Sequence, residues 1–305
     1  MKTHCSSCHT TLDHLLENKD IALHYEESEE KLTWCSGCGN YGIEKALIRA
    51  LTLEKISFRD CLLCYDIGCN GNGSDKTIAY TVHGLHGRVI PLAVGAALAN
   101  STQKVVAMAG DGATFSEGIN HLIHAIRNDY PITFICHNNE NYGLTTGQAS
   151  ATTRKGFAMN GSPDGVVAPP MNICEFVLSL APTFVARGFS GDVQHTTGIL
   201  QEALRHPGFA FVEIMQVCPT YNKATKQEWF WDRIHSVDSN RKEVSDIENA
   251  RREAQNIEEH IALGVLYKNP ITPFLKRIPQ RSEKKTTLVE EVHHYDITKL
   301  LSEFV

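Results

Sequence analysis

The feature that most constrains the fold is an alternation of short apolar runs with helical segments. The runs at 61–69 (CLLCYDIGC), 104–112 (KVVAMAGDG) and 132–137 (ITFICH) have the length of buried strands, and TFVAR and FAFVEIMQVC follow later. Strands that alternate with helices build βαβ units, and these form a mostly parallel sheet with helices on both faces. We therefore predict an α/β fold in which ligands gather at the carboxyl ends of the strands.

The predicted helices carry apolar residues at helical spacing. The first predicted helix follows WCSGCGN, and Asn40 is its candidate N-cap. Its apolar residues are Ile43, Ala46, Leu47, Ala50 and Leu51. In SEGINHLIHAIRND the apolar face consists of Ile119, Leu122, Ile123 and Ile126. The segment 87–100 is rich in Ala and Gly and predicts a helix packed closely on a neighbour, and TGILQEALRH predicts a helix between the last two strands.

Charge and hydropathy exclude several classes of protein. The formal net charge is −6, so a nucleic-acid-binding surface is not expected. The N-terminus has no apolar stretch typical of a secretory signal, and no run approaches the ~18 apolar residues of a membrane span. We expect a cytoplasmic protein with no membrane contact, in which the ten cysteines are thiols or metal ligands.

The composition also suggests three parts. Residues 1–33 are polar and acidic and predict an N-terminal extension, whereas 34–225 hold the alternating strands and helices. From 226 to 305 the chain is polar and charged, which predicts a C-terminal arm that wraps a body or a partner.

A Gly-Asp-Gly turn and an Asn-rich loop suggest a site for diphosphate and Mg²⁺. Gly110 and Gly112 flank Asp111 where a strand ends, so the backbone can approach phosphates and the carboxylate can bind Mg²⁺. Asn139 follows the next strand, and the backbone carbonyl of Asn141 is a further oxygen ligand. Each element alone also fits an ordinary turn or polar loop.

Together with other motifs, this pair resembles one family of thiamine diphosphate enzymes. The motifs WCSGCGNYGI, DIGCN, LHGRVIPLAVGAALAN, GDG, NYGLTTGQAS, ARGFSGD and VCPTYNK occur in this order. They resemble the β subunit of the 2-oxoacid:ferredoxin oxidoreductases from Trp34 to about Lys223. The resemblance implies the thiamine diphosphate-binding fold of the pyrophosphate type.

The resemblance also implies an activity, cofactors and partners. The activity is the CoA-dependent oxidative decarboxylation of a 2-oxoacid, pyruvate or 2-oxoglutarate, to acyl-CoA and CO₂. The cofactors are thiamine diphosphate, Mg²⁺ and one [4Fe–4S] cluster, which passes electrons to ferredoxin. An α subunit supplies the activating Glu, so the chain is expected to be inactive alone and to form a heterodimer or a dimer of heterodimers.

The resemblance assigns site residues by position in this chain. His86, Arg88 and Leu144 are the implied catalytic residues, and Asp111, Asn139 and Asn141 the implied Mg²⁺ ligands. The implied cofactor-binding residues are Ile67, Gly68, Cys69, Asn70, His86, Gly87, Gly110, Asp111, Gly112, Ala113, Asn139, Asn141, Tyr142, Gly143, Leu144 and Thr145. Ala113 stands where the family often has a second Asp. Selectivity among 2-oxoacids is expected from Leu144, from 70–74 and from the α subunit.

Three Cys-x-x-Cys pairs are candidates for ligands of the iron–sulfur cluster. Cys35/Cys38 lies in a Gly-rich loop that can fold around a cluster, whereas Cys61/Cys64 lies in a predicted strand, where such residues point to opposite faces. Cys69 and Cys218 follow strands at the predicted ligand-binding edge, and the resemblance selects Cys35, Cys38, Cys69 and Cys218 as the cluster ligands. Cys61 and Cys64 are interpreted as core thiols, as are Cys136 and Cys174.

The first pair, Cys5/Cys8, leaves several interpretations open. CSSCH matches the haem-attachment pattern, but no export signal accompanies it. Together with His4 and His9 the pair can bind Zn²⁺ or a second iron site, or the arm can hold no metal.

Two other functions fit part of the pattern. A thiamine-dependent, non-redox 2-oxoacid decarboxylase keeps Asp111 and Asn139 and uses the cysteines structurally. An iron–sulfur electron-transfer module keeps the cysteines but binds no thiamine diphosphate. Iron, sulfide and cofactor analysis separates these possibilities.

Overall fold

The computed structural model describes residues 33–77, 79–237, 242–292 and 296–303. The predicted α/β fold is confirmed: eight strands form one sheet with helices on both faces. The strands are β1 Cys61–Tyr65, β2 Tyr80–His83, β3 Lys104–Gly110, β4 Thr133–Asn138, β5 Phe184–Phe189, β6 Ala210–Met215, β7 Ile234–Ser236 and β8 Ile261–Lys268. The helices are α1 Asn40–Leu53, α2 Val89–Ala99, α3 Ile119–Asn128, α4 Ile173–Leu178, α5 Val193–Arg205, α6 Gln227–Trp231, α7 Ile247–Gln255, α8 Phe274–Arg277, α9 Leu288–Glu291 and α10 Thr298–Ser302.

The strand order is β2-β1-β3-β4-β6-β5-β8-β7, and all neighbours are parallel except β5 and β8. The central strands end together, since Gly110 at the end of β3 pairs with His137 in β4, and His137 pairs with Ile214 in β6. The segments that follow β3, β4 and β6 therefore leave the sheet at the same edge.

Two apolar layers cover the sheet. Helices α1 and α5 pack on one face, and all five apolar residues predicted for the first helix are buried there. Helices α2, α3, α4 and α7 pack on the other face.

Two details of the prediction are wrong. Ile123 is 38% exposed, and Asn40 is the first residue of α1 behind an N-cap at Gly39 that makes no side-chain hydrogen bond.

The cysteines interpreted as core thiols are buried, as predicted. Cys61 and Cys64 are both inaccessible to solvent but belong to different apolar layers, because strand β1 directs them to opposite faces. Cys136 lies in β4, and Cys174 in α4 contacts Glu213 in β6 at 3.0 Å.

The segment predicted as a C-terminal arm contributes to the sheet. Strand β8 pairs with β5 in the antiparallel direction, and β7 pairs with β8 at the edge. Helix α7 packs against the layer that contains α4. The predicted boundary at residue 225 therefore lies upstream of two strands of the same sheet.

The N-terminal residues His4, Cys5, Cys8 and His9 lie outside the described residues. Within the described part of the chain, no helix is long and apolar enough to cross a membrane.

Candidate functional site

A pocket opens at the edge of the sheet where β1, β3 and β4 end. Fifteen of the sixteen predicted cofactor-binding residues line it, and the exception is Gly87. The residues that line it are Asn40, Ile67, Gly68, Cys69, Asn70, His86, Gly110, Asp111, Gly112, Ala113, His137, Asn139, Asn141, Tyr142, Gly143, Leu144, Thr145 and Gln216. Of these described lining residues, Asp111 is the only one with a carboxylate.

The two oxygens of Asp111 have different environments. Oδ2 accepts hydrogen bonds from the hydroxyls of Ser150 and Thr152, the latter at 2.6 Å. Oδ1 is buried and has no hydrogen-bond partner among the described residues. Burial raises the pKa of the Asp111 carboxyl from 3.8 to about 6. A buried carboxylate oxygen without a partner is costly, and a bound cation such as Mg²⁺ would satisfy it.

Thr152 connects Asp111 to a buried ion pair. Its hydroxyl lies 2.9 Å from Asn138 Oδ1, and Asn138 Nδ2 donates to Glu213 Oε1 at 2.8 Å. Glu213 Oε2 in turn accepts from Arg187 Nε at 2.8 Å, and Arg187 is fully buried. Desolvation alone would raise the pKa of Glu213, but attraction to Arg187 and the hydrogen bonds from Cys174, Arg187 and Asn138 together outweigh it and lower the pKa. This chain of contacts fixes the orientation of Asp111 from inside the sheet.

The Asn-rich loop is held by its own side chains. Asn139 Oδ1 accepts from the backbone N–H of Asn141 at 3.1 Å, and Asn141 Nδ2 donates to the Asn139 carbonyl at 2.8 Å. Both asparagines are buried and line the pocket with Asp111. Carboxylate and amide oxygens are a donor set that suits Mg²⁺.

Gly112 must be glycine because an aromatic ring lies against it. A Cβ at this position would come within 2.4 Å of the Tyr142 ring. The Tyr142 hydroxyl donates to Glu117 at 2.9 Å, which fixes the ring at the rim of the pocket. The glycine therefore lets the ring pack against the turn behind β3, whose residues Gly110 to Ala113 line the pocket.

His86 and Arg88 have different positions. His86 lines the pocket, and its Nδ1 lies 2.8 Å from the Ile67 carbonyl. The Arg88 guanidinium donates to the carbonyls of Gly87 and Glu117, at 3.1 and 3.0 Å, and does not line the pocket. Gly87 is not a lining residue of the pocket, and its N–H donates to Asp66 Oδ1 at 3.0 Å. Of the three predicted catalytic residues, His86 and Leu144 thus face the pocket.

A second cavity adjoins this pocket and brings four cysteines together. Cys35, Cys38, Cys69 and Cys218 line it, although Cys69 and Cys218 are far from the Cys35/Cys38 pair in the sequence. All four are free thiols. Burial and the neighbouring sulfurs raise the pKa of Cys69 to about 12, and burial raises the pKa of Cys38. The thiolate forms of Cys38 and Cys69 are therefore disfavoured unless a cationic group such as iron binds them.

The backbone around these cysteines has the conformation of a tight loop. Gly37 has a φ of +80°, a region that favours glycine, and the Cys38 N–H donates to the Cys35 carbonyl at 3.0 Å. The indole N–H of Trp34 donates to the Cys69 carbonyl at 2.6 Å, which ties the loop to the segment behind β1. The loop and this hydrogen bond thus hold the segments that carry Cys35, Cys38 and Cys69 next to one another.

Among the described residues, no three His, Cys, Asp or Glu side chains lie close enough to hold a single metal ion. A cluster differs from a single ion because its four irons each take one thiolate, so the sulfurs stand further apart. A magnesium site with amide, carbonyl and phosphate oxygens also needs only one carboxylate.

Three pocket residues were not predicted as site residues from the sequence. Asn40 was interpreted as a helix cap, whereas His137 lies in β4 and Gln216 directly follows β6. His137 Nδ1 lies 2.9 Å from Asn40 Oδ1, and burial lowers the pKa of His137 to about 3. A polar residue at the carboxyl end of an otherwise apolar strand was the signal available for His137 and Gln216.

Comparisons with known proteins identify the family of the chain. Residues 66–214 match the C-terminal TPP-binding domain of thiamine pyrophosphate enzymes, and residues 218–283 match the C-terminal part of the pyruvate ferredoxin oxidoreductase β subunit. A 2-oxoacid:ferredoxin oxidoreductase subunit β from Saccharolobus solfataricus is 33% identical over 262 residues, which cover 82% of this chain and 86% of the relative.

Two further matches point the same way. The 2-oxoglutarate oxidoreductase subunit KorB of Mycobacterium tuberculosis is 35% identical over 231 residues, 74% of this chain and 61% of the relative. A solved structure of 2-oxoglutarate:ferredoxin oxidoreductase from Magnetococcus marinus, with 2-oxoglutarate, coenzyme A and succinyl-CoA bound, has a chain that matches with a TM-score of 0.81 and 30% identity. The match covers 92% of this chain and 98% of that one.

Proposed function

Because the chain belongs to the β-subunit family of the 2-oxoacid:ferredoxin oxidoreductases, we propose that it carries out the CoA-dependent oxidative decarboxylation of a 2-oxoacid together with an α subunit. The products are acyl-CoA and CO₂, and the electrons pass to ferredoxin. One observation carries the proposal: the cofactor pocket and the cysteine cavity share five lining residues. These are Cys69, Asn139, Gly143, Leu144 and Gln216.

The pocket fits thiamine diphosphate and Mg²⁺. Asp111 Oδ1, the side chain of Asn139 and the carbonyl of Asn141 would hold the ion, and the backbone from Gly110 to Ala113 would face the diphosphate. When bound, the cofactor supplies the electron sink for loss of CO₂. The chain itself would bind and orient the diphosphate, and Leu144 and Tyr142 would line the pocket beside it.

The second cavity fits a [4Fe–4S] cluster. It offers four thiols, the ligand number that such a cluster needs, and its walls are the loop around Gly37 and the segments behind β1 and β6. Since the two cavities share a wall, a one-electron carrier here would lie next to the bound cofactor. This adjacency favours an oxidoreductase over a non-redox decarboxylase.

The proposed partner is an α subunit that supplies the activating Glu. The pocket has no Glu among its described lining residues. Two apolar lining residues are also exposed: Leu144 is 51% exposed, and Ile67 is exposed as well. A partner that covers this edge would bury them and complete the site.

We propose 2-oxoglutarate as the first substrate to test and pyruvate as the second. Relatives from Mycobacterium tuberculosis and Methanocaldococcus jannaschii carry 2-oxoglutarate in their names, and so does the matching structure. Steady-state rates with both acids in the assembled complex, with ferredoxin as acceptor, decide between them.

The test of the function is anaerobic purification of the chain alone and with its α subunit. We expect about four irons and four sulfides per chain, with thiamine diphosphate bound and ferredoxin reduced only by the complex. A chain without iron contradicts the redox function, and iron without thiamine diphosphate indicates an electron-transfer module. Decarboxylation by the chain alone would contradict the need for a partner.

The role of Asp111 gives a sharper test. Asp111→Asn removes the charge that binds Mg²⁺, and Thr152→Val removes one of the two hydroxyls that orient the carboxylate. We expect the affinity for thiamine diphosphate with Mg²⁺ to fall by more than about 100-fold in the first variant and by about 10-fold in the second. Calorimetric titration measures both. Equal affinity in wild type and Asp111→Asn would contradict the assignment.

A further inference from the structure

Gln216 lies at the boundary between the cofactor pocket and the cysteine cavity and lines both. It directly follows β6, and its backbone N–H donates to the Asn138 carbonyl at 2.8 Å, which continues the pairing of β6 with β4. Its side chain is buried, with 2% of the residue exposed. The rigid end of a central strand therefore determines where the amide lies.

The side-chain amide of Gln216 contacts a sulfur. Its Nε2 lies 3.5 Å from Cys38 Sγ, a length suitable for a hydrogen bond to sulfur. A sulfur that ligates iron is deprotonated and only accepts, so the amide must present its N–H to it. Gly39 makes the approach possible, because a Cβ there would lie 2.6 Å from Gln216 Cγ.

Nothing in the described part of the chain draws this amide away from the sulfur. Gln216 Oε1 is buried without a hydrogen-bond partner among the described residues. A flip of the amide would place this oxygen against an electron-rich sulfur, which is unfavourable. The N–H is therefore held toward Cys38 by packing and by electrostatics together.

We propose that Gln216 raises the reduction potential of the cluster bound by the four cysteines, by donating an N–H···S hydrogen bond to Cys38. Reduction adds negative charge to the cluster and its sulfurs, so a donor stabilises the reduced state more than the oxidised state. This inference rests on the proposed function, and it assigns Gln216 a tuning role at the side of the cluster that adjoins the cofactor pocket.

The experiment is an EPR-monitored redox titration of the complete complex, purified anaerobically. Gln216→Leu keeps the size of the side chain and removes the donor. The equilibrium between oxidised and reduced cluster should then shift about tenfold toward the oxidised form. For a one-electron couple this corresponds to a reduction potential about 59 mV lower than in the wild type. Gln201→Leu is the matched control, since Gln201 lies on helix α5 and donates to Glu54 rather than to any cysteine. The cluster potential of this variant should equal that of the wild type.

The outcomes separate this inference from the proposed function. A wild-type complex without iron overturns both. A Gln216→Leu complex with full iron content and an unchanged potential overturns the role of Gln216 alone. A lower potential in Gln216→Leu and not in Gln201→Leu supports it.

A second measurement on the wild type applies even if the variant loses its cluster. Protein labelled with ¹⁵N in the glutamine side-chain amide is reduced and studied by pulsed EPR. A hyperfine coupling between the label and the reduced cluster supports the hydrogen bond, and it should persist in Gln201→Leu. Absence of any such coupling overturns the inference.

Discussion

The pairs Cys35/Cys38 and Cys61/Cys64 have the same spacing but different surroundings. The first lies in a partly exposed loop, where Gly37 adopts a positive φ and the Cys38 N–H donates back to the Cys35 carbonyl. The second lies in strand β1, where its two thiols enter opposite apolar layers. A turn brings both sulfurs to one cavity, and a strand separates them.

The backbone conformation therefore decides the chemistry of a Cys-x-x-Cys pair. Burial raises the pKa values of Cys61 and Cys64 to about 12, so these thiols stay protonated and act as small apolar side chains. The pKa of Cys69 is raised equally, but Cys69 lines a cavity with three other thiols that a metal cluster can bind. Cys69 therefore differs from Cys61 and Cys64 because its sulfur meets other sulfurs in one cavity, and not because its pKa is different.

Serine substitution gives the largest expected contrast. Cys38→Ser should abolish the intact cluster, because a [4Fe–4S] cluster needs four thiolates. Cys64→Ser should keep the iron but lower the free energy of unfolding by about 1–3 kcal/mol, since it buries a hydroxyl in an apolar layer. Iron analysis and thermal unfolding measure the two effects. Full iron in Cys38→Ser, or iron loss in a folded Cys64→Ser, would break the comparison.

A smaller effect is expected at Glu44, which connects the two regions. Glu44 lies on α1 behind the loop, and it accepts hydrogen bonds from Tyr65 in β1, at 3.4 Å, and from Thr77. Burial raises the pKa of Glu44 from 4.5 to about 7. Between these pH values the unfolded chain releases the proton while the folded chain keeps it. This carboxyl therefore contributes a loss of stability as the pH rises from about 4.5 to about 7, by up to about 3 kcal/mol.

Glu44→Gln should remove this dependence, because the amide does not ionise. Above about pH 7 the variant is expected to be more stable than the wild type, and below about pH 4.5 the two should be nearly equal. Denaturant unfolding across this range measures the difference. Parallel curves for the two proteins would show that Glu44 is not the titrating group.

The smallest contrast compares two exposed glycines that have open space around them. Gly37→Ala places a side chain at a φ of +80° and should destabilise the loop by about 1 kcal/mol. Gly95→Ala, in helix α2, should stabilise the protein by about 0.5–1 kcal/mol. Thermal midpoints and the rate of iron loss report both changes. Faster iron loss in Gly95→Ala than in Gly37→Ala would contradict the importance of the loop conformation.

Much of the fold could be predicted because local patterns agree with it. The apolar runs became β1, β3, β4, β5 and β6, and the helical patterns became α1, α2, α3 and α5. Strand β8 was missed because it lies in a segment of polar and charged composition, although IALGVLYK is itself an apolar run of strand length. Its antiparallel pairing with β5 is the part that no local pattern encodes. Ile123 lies at the margin of its apolar face, where periodicity does not determine whether a side chain is covered.

The candidate site was predicted where a motif marks it and missed where only tertiary structure does. Asp111 and Asn139 follow apolar strands in recognisable turns. His137 and Gln216 reach the pocket because β4 and β6 end in register, and the only signal in the sequence is a polar residue at the carboxyl end of an apolar strand. The orientation of Asp111 likewise depends on Thr152, which lies 41 positions further along the chain.

The antiparallel pairing of β8 with β5 has a consequence for synthesis. Phe189 ends β5, and its open edge is covered only after Ile261 begins β8. A ribosome needs about 4–14 s to make the intervening segment, at about 5–20 residues per second. During this interval the nascent chain exposes the edge of an apolar strand whose backbone N–H and C=O groups are unpaired. Such an edge readily pairs with strands of other chains. We therefore expect nascent chains stalled between these two points to need chaperones more than the completed chain does.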